Sequence, residues 1–126
     1  MTNNSNETQI RTLIESWTKA VREGDMEGVI AHHTDDIVIF DVPRPLQSKG
    51  TEAYKKMWEL FFSYQPKGDF DLSELEITAD DTVAFGHGLL RVGSEKEPAV
   101  RLTLGLRKIR DQWLIAHEHH SAPYED

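Results

Sequence analysis

The chain contains no cysteine among its 126 residues. The absence of thiols excludes disulfide bonds, thiolate catalysis and cysteine-ligated zinc sites. The chain also has no apolar run approaching the ~20 residues that a transmembrane helix requires. Its first segment, Met1 to Asn6, lacks the basic and apolar regions of a signal peptide. We therefore expect a cytoplasmic protein that does not enter a membrane.

Basic residues are scarce, with 14 lysines and arginines against 22 acidic residues and a net charge of −8. We expect neither nucleic acid nor an anionic membrane as a partner, because both require a basic surface. A single internal arginine could still hold an anionic ligand. The 38% of apolar residues and 29% of charged residues are typical of a globular protein. Since no repeat or linker interrupts the chain, residues 1–126 are predicted to form one domain.

The first half of the chain carries helical patterns. Apolar residues recur at three- and four-residue spacing from Ile10 to Val21, which places them on one face of a helix. Similar stripes, bounded by glycine, proline and aspartate, predict two further helices. The first predicted helix starts at Thr8 or at an asparagine before it and ends at Gly24. The second is capped by Asp25 and runs through Ile30 until Asp35 and Asp36 break it, and the third runs from Gly50 to Pro66.

Strand patterns dominate the second half. A first strand is predicted earlier, at the β-branched segment Ile37–Val42, and a loop follows it because Pro43 and Pro45 fit neither a ladder nor a helix interior. Four more strands, separated by short turns, are predicted at 69–79, 82–93, 98–110 and 112–120. Such strands form an antiparallel meander. The order α-α-β-α-β-β-β-β therefore predicts an α+β fold.

The last predicted strand combines core-forming residues with four consecutive groups that can move protons or bind metal, His117 to His120. Ionisable groups in a buried segment need a partner or a function, so this strand indicates a polar-lined pocket. Alternation places Glu118 with His120 on one face and His117 with His119 on the other. Either pair could face inward on pattern alone, because a slip of one residue exchanges the two faces.

The same cluster raises the question of a metal. His117 and His119 share a strand face, which suits zinc or iron if a third ligand converges. His32 and His33 could supply that ligand, but no His-Glu-x-x-His motif or second spaced pair supports the arrangement. We predict no metal and no cofactor.

Four segments of the chain resemble the ketosteroid isomerase and SnoaL-like proteins of the broad nuclear-transport-factor-2-like fold. The segments are 21–27, 33–41, 48–52 and 113–121. The resemblance covers nearly the whole chain. It implies a cone-shaped, curved, mixed or antiparallel sheet wrapped on three N-terminal helices. It also implies a homodimer, because relatives usually pair through the sheet.

The resemblance carries the catalytic base of the isomerases to Asp41. The oxyanion tyrosine and aspartic acid of those enzymes fall on Trp17 and Gly105, and two supporting tyrosines fall on His33 and Trp58. The base is thus retained whereas the oxyanion apparatus is missing. A steroid 3-keto isomerase of the usual mechanism is not expected.

The resemblance also implies which side chains of the strands line the pocket. These are Phe85, His87, Arg101, Thr103, Glu118 and His120. An inward Arg101 would need a carboxylate neighbour, for which Glu118 is the candidate. Each of these roles has a purely structural alternative. Asp41 would cap its loop, His87 would satisfy a hydrogen bond in the core, and Arg101 with Thr103 would form a solvated outer face.

Aromatic residues, including Trp17, Trp58 and Phe62, are expected in the core and in the apolar wall of the cavity. Such a wall favours a small hydrophobic or carbonyl-bearing ligand.

Two classes of function follow from these residues. In the first, an isomerase-, cyclase- or hydratase-type enzyme uses Asp41, or the Glu118–His120 pair, to remove a proton next to a carbonyl. Arg101 or His87 then stabilises the enolate. In the second, the same cone serves as a non-catalytic ligand-binding or dimerisation domain.

Overall fold

The computed structural model describes residues 4–65 and 68–124 and has the predicted α+β class. The helices are α1 (Asn4–Glu23), α2 (Met26–Ile30) and α3 (Thr51–Tyr64). The strands are β1 (His33–Phe40), β2 (Ser48–Lys49), β3 (Phe70–Ala79), β4 (Val83–Val92), β5 (Val100–Ile109) and β6 (Gln112–Ser121). The element order matches the prediction, with the short β2 added.

The six strands described form one curled, unclosed sheet in the order β2-β1-β6-β5-β4-β3. β1 and β6 pair in parallel, and the other neighbours are antiparallel. The sheet curves around the helices into a cone, as predicted. None of the helices within the described residues is both long and apolar enough to cross a membrane.

The longest helix, α1, buries a single apolar stripe against the inside of the sheet. Ile10, Ile14, Trp17 and Val21 recur every three or four residues, and all four are buried. The residues between them are largely exposed or partly exposed. This stripe forms one wall of the core, and the sheet forms the other.

The inner face of β5 is made of leucines, contrary to the register that the resemblance implied. Leu102, Leu104 and Leu106 are buried, whereas Arg101 and Thr103 are exposed on the outer face. The prediction that Arg101 and Thr103 line the pocket is therefore wrong. Burying three leucines removes apolar surface from water, while an inward arginine would need a buried partner.

The same correction applies to β4, where Phe85 and His87 lie on the outer face with their rings stacked. Phe85 is 49% exposed. The inward positions belong to Gly86 and Gly88, against which β3 packs closely. A Cβ atom on Gly88 would lie 2.8 Å from Cδ1 of Leu72. A larger side chain at position 88 would therefore collide with β3, whereas position 86 leaves room for a Cβ atom.

A β-bulge in β6 changes which residues of that strand face the core. Gly105 of β5 pairs with His117, but the next residue, Leu106, pairs with Ile115. Ala116 is the additional residue. Ile115 before the bulge and Glu118 after it are consequently both buried, although strict alternation would place them on opposite faces.

Candidate functional site

A cavity of about 510 Å³ opens between α3, the segment after β1, the C-terminal end of β4 and the first residue of β5. It is lined by Asp41, Val42, Pro43, Met57, Trp58, Leu60, Phe61, Tyr64, Phe70, Leu90, Val92, Val100, His120 and Ala122. The lining is apolar apart from Asp41, His120 and the phenol of the exposed Tyr64. An apolar cleft with a few polar groups is typical of a small-molecule site.

Asp41 and His120 meet at the wall of this cavity from neighbouring strands. Asp41 directly follows β1, His120 lies near the end of the parallel strand β6, and Nδ1 of His120 is 3.7 Å from Oδ1 of Asp41. The Asp41 side chain is 20% exposed and accepts a hydrogen bond from the backbone N–H of Val42 at 2.7 Å. Asp41 therefore caps its loop and also presents a carboxylate to the cavity.

Glu118 lies behind His120 and is fully buried. Its Oε2 atom is 2.9 Å from Nε2 of His120, and its Oε1 atom accepts a hydrogen bond from the Tyr54 hydroxyl at 2.9 Å. Burial alone would raise the pKa of Glu118. The hydrogen bond from His120, the nearby His33 imidazole and the charges of both rings outweigh burial and lower that pKa to about 2. Glu118 is thus an anion held by its neighbours.

The pKa of His120 moves in the opposite direction. Burial would lower it, but the hydrogen bond and charge of Glu118, together with the charge of Asp41, raise it above its ordinary value. His120 is therefore held toward its imidazolium form between two carboxylates. This arrangement provides a proton donor and a proton acceptor side by side.

Two further buried groups, the Tyr54 hydroxyl and the His33 imidazole, lie against Glu118 from the core side. The Trp17 indole Nε1 donates to the hydroxyl of Tyr54 at 3.1 Å. Burial and the Glu118 charge raise the pKa of Tyr54 well above its ordinary value, so the phenol keeps its proton. Nε2 of His33 lies 3.8 Å from Oε1 of Glu118, and its other ring nitrogen contacts the Ala31 carbonyl oxygen at 2.8 Å.

Of the residues predicted to form the site, the structure brings together Asp41, Glu118, His120 and Trp58. Trp17 and His33 lie in the core beneath them, outside the cavity lining. Phe62 packs against Trp58 with ring centroids 6.0 Å apart, while Phe61 provides the cavity wall.

The outer-face residues of β4 and β5 are separate from this group. Arg101 pairs in register with Ser121, and Leu104 is the residue opposite Glu118. The predicted contact between Arg101 and Glu118 is therefore absent, and neither His87 nor Arg101 reaches the cavity.

Tyr54, on α3, is not among the residues that the sequence predicted for the site. A tyrosine within an apolar stripe is the signal that could have identified it, because a buried hydroxyl requires a hydrogen-bonding partner. In the described part of the chain, no three histidine, aspartate or glutamate side chains are placed to hold a metal ion together.

Comparisons with known proteins agree with this fold. A nuclear transport factor 2-like (NTF2-like) protein of unknown function from Pseudomonas putida is 38% identical, with a TM-score of 0.91 over 99% of this chain and 92% of that one. A candidate dehydratase of the NTF2-like family from Streptomyces avermitilis is 14% identical, with a TM-score of 0.83 over 98% of this chain and 100% of that one. A candidate ketosteroid isomerase from Parabacteroides distasonis is 19% identical, with a TM-score of 0.72 over 90% and 85%.

The family comparison confirms the resemblance that the sequence suggested. No functionally curated protein matches the chain. The model of the SnoaL-like domain matches residues 10–125. The chain therefore belongs to the family of SnoaL-like domains within the NTF2-like fold.

Proposed function

We propose that the protein is an enzyme of the isomerase or dehydratase type that moves a proton on the carbon next to a carbonyl group. One observation carries this proposal: Asp41 and His120 stand 3.7 Å apart at the wall of an apolar cavity, and His120 is backed by the buried Glu118. The substrate is a small, mainly apolar carbonyl compound.

Each residue has a distinct part in the proposed reaction. Asp41 accepts the proton from the carbon next to the carbonyl, and the Nδ1–H of the His120 imidazolium is donated to the carbonyl oxygen, which yields an enol. Return of the Asp41 proton to a different carbon, with return of the enol proton to His120, gives an isomer. If the substrate carries a hydroxyl at the β carbon, donation from His120 to that hydroxyl releases water instead.

Glu118 supports this chemistry without touching the substrate. It has no exposed surface and is absent from the cavity lining. Its charge keeps the proton on His120, and its hydrogen bond orients the ring. The candidate dehydratase and the candidate ketosteroid isomerase share the fold with this chain, and the same cone can host many reactions.

Solvent deuterium exchange tests the proposal. The protein would be incubated in D₂O with small cyclic enones, aryl ketones and β-hydroxy ketones, and exchange and product would be followed by NMR. We expect exchange in the wild type and a loss of at least about 100-fold in Asp41→Asn and His120→Gln, the usual scale for an essential acid or base.

The chain offers matched controls for both variants. Asp35 is an exposed carboxylate, and His87 is an exposed imidazole outside the cavity. Asp35→Asn and His87→Gln are expected to retain full exchange. Equal exchange in all four variants, or none in the wild type with any ketone, would sink the proposal.

A second function, ligand binding without chemistry, is favoured by one observation. The Trp17 N–H, at the position of the isomerases' oxyanion tyrosine, is already bonded to Tyr54 and cannot stabilise an enolate. Native mass spectrometry of protein taken directly from cells separates the two functions. A co-purified small molecule without any exchange would support binding alone.

We further propose that the protein is a cytoplasmic homodimer that pairs through the outer face of the sheet. Phe85 and Val83 expose apolar surface there, at 49% and 56% exposure. Sedimentation velocity at micromolar concentration should show a dimer, and Phe85→Asp should weaken it. A monomer at that concentration would contradict this proposal.

A further inference from the structure

We propose that Tyr54 is a positioning residue, whose hydroxyl binds one oxygen of Glu118 and thereby sets how strongly the other oxygen holds the His120 ring. The catalytic meaning of this role rests on the proposed function. The contacts themselves can be tested without any substrate.

The direction of the hydrogen bonds is fixed at the Trp17 end. An indole N–H can only donate, so the Tyr54 oxygen must accept from Trp17 Nε1, which lies 3.1 Å away. The single proton of the Tyr54 hydroxyl is then directed to Oε1 of Glu118, at 2.9 Å. Trp17 on α1, Tyr54 on α3 and Glu118 on β6 thus form a chain of hydrogen bonds in which each group donates to the next.

The orientation of the His120 imidazole follows from the same kind of argument. With Oε1 engaged by Tyr54, the Oε2 atom of Glu118 faces Nε2 of His120 at 2.9 Å. An ionised carboxylate only accepts hydrogen bonds, so Nε2 carries a proton and Nδ1 is the nitrogen that faces Asp41 and the cavity. Tyr54 therefore acts on the carboxylate that holds the Nε2 proton of His120.

Tyr54 acts only through its neighbours. Its side chain and that of Glu118 are fully buried, and neither lines the cavity. The nearest competing group is His33, whose Nε2 lies 3.8 Å from the oxygen that Tyr54 occupies. Without the hydroxyl, Glu118 would lose one donor and keep its hydrogen bond to His120. The carboxylate would then be less stabilised and a stronger base.

An NMR titration of the histidine rings in the full-length, ¹⁵N-histidine-labelled protein tests this role. The ionisable groups that face His120 are Glu118 on its own strand and Asp41 after β1. In Tyr54→Phe we expect the His120 midpoint to rise by about one pH unit, because Glu118 loses a hydrogen bond to its charged form and holds the His120 proton more tightly. The matched control is Tyr124→Phe, which changes a phenol that is 90% exposed. An unchanged or lowered midpoint in Tyr54→Phe would overturn the proposal.

A near-isosteric replacement covers the case in which Tyr54→Phe fails to fold. Fluorine in 3-fluorotyrosine makes the phenol a stronger donor, so placing it at position 54 should draw charge from Glu118. The His120 midpoint should then fall, opposite in sign to Tyr54→Phe. A midpoint that stays or rises would contradict the role of Tyr54.

Kinetics separate this inference from the proposed function. With a ketone that exchanges in the wild type, Tyr54→Phe should lower kcat by about tenfold and leave KM unchanged, because the residue does not contact the ligand. A raised KM with an unchanged kcat would count against positioning. If no ketone exchanges, the proposed function fails, and the His120 midpoint still decides the role of Tyr54.

Discussion

The Nδ1 atom of His117 lies 2.8 Å from the carbonyl oxygen of Val38, across the parallel pairing of β1 and β6. This hydrogen bond sits directly beside the bulge at Ala116, and the His117 ring also packs edge-on against Phe40, with centroids 4.7 Å apart. The His117 side chain thus holds β6 against β1 at the bulge, where the set of inward-facing residues changes. Glu118, the next residue, faces inward because of that change.

Replacing His117 should therefore loosen the bulge. We expect His117→Ala to lower the free energy of unfolding by about 1–2 kcal/mol, since it removes a hydrogen bond and a ring contact. Urea denaturation measures this loss. His119→Ala is the matched control, because His119 also contacts Phe40 but is exposed. Equal losses in the two variants would show that the Val38 bond has no special role.

The Glu118–His120 pair predicts how stability depends on pH. The lowered pKa of Glu118 gives stability that is present above about 4.5 and is lost as pH falls toward about 2. The raised pKa of His120 gives stability that is present below about 6.5 and is lost as pH rises through its folded-state value. The contribution of the pair is therefore largest between about pH 4.5 and 6.5.

Urea denaturation from pH 3 to pH 9 tests this dependence. Glu118→Gln should flatten both limbs of the profile, because the charge that shifts His120 is removed together with the carboxylate. The exposed Glu76→Gln serves as the control and should follow the wild type. If the stability of Glu118→Gln varied with pH in parallel with that of the wild type, the assigned pKa shifts of Glu118 and His120 would be contradicted.

The two inward glycines of β4 should differ sharply in their tolerance of a methyl group. A Cβ atom on Gly88 would meet Leu72 Cδ1 at 2.8 Å and the carbonyl oxygen of Ser73 at 3.0 Å. Gly88→Ala should destabilise the fold by about 1–3 kcal/mol. At Gly86 the nearest atom is 3.5 Å away, so Gly86→Ala should be close to neutral. Thermal unfolding compares the two, and equal melting temperatures would refute the packing argument.

Filling the cavity should block ligands without disturbing the fold. Val92 lines the cavity near the end of β4, so Val92→Phe should weaken binding of a neutral apolar dye such as Nile red by about tenfold. Thr12→Phe adds similar bulk at an exposed position of α1, outside the cavity, and should bind the dye like the wild type. Dye fluorescence gives both affinities. Unchanged affinity in Val92→Phe would place the ligand elsewhere.

The elements were predictable from sequence because they depend on local patterns. The stripe on α1, the proline loop after β1 and the turn residues between strands are all visible within a few positions of the chain. The inner faces of β4 and β5 were assigned one residue out of register. Reading the leucines of β5 as core would have corrected that strand, whereas the inward glycine at position 88 is explained only by how closely β3 approaches it.

The candidate site was partly predictable. Asp41, Glu118 and His120 were identified because they are ionisable groups in or beside buried strands. Glu118 and His120 face inward as expected, but they do so after a bulge that alternation alone does not reveal. Tyr54 was missed because its partner, Glu118, lies 64 positions away and no local pattern joins them.

Trp58 gives the cavity an optical signal of its own. Its indole forms part of the wall and lies 5.9 Å, between ring centroids, from His120. The other two tryptophans are outside the lining: Trp17 is bonded to Tyr54, and Trp113 donates to Asn6 at 3.1 Å. A molecule entering the cavity would replace water beside one indole of the three. Its arrival should therefore change the intrinsic fluorescence, so compounds can be screened for occupancy before any reaction is known.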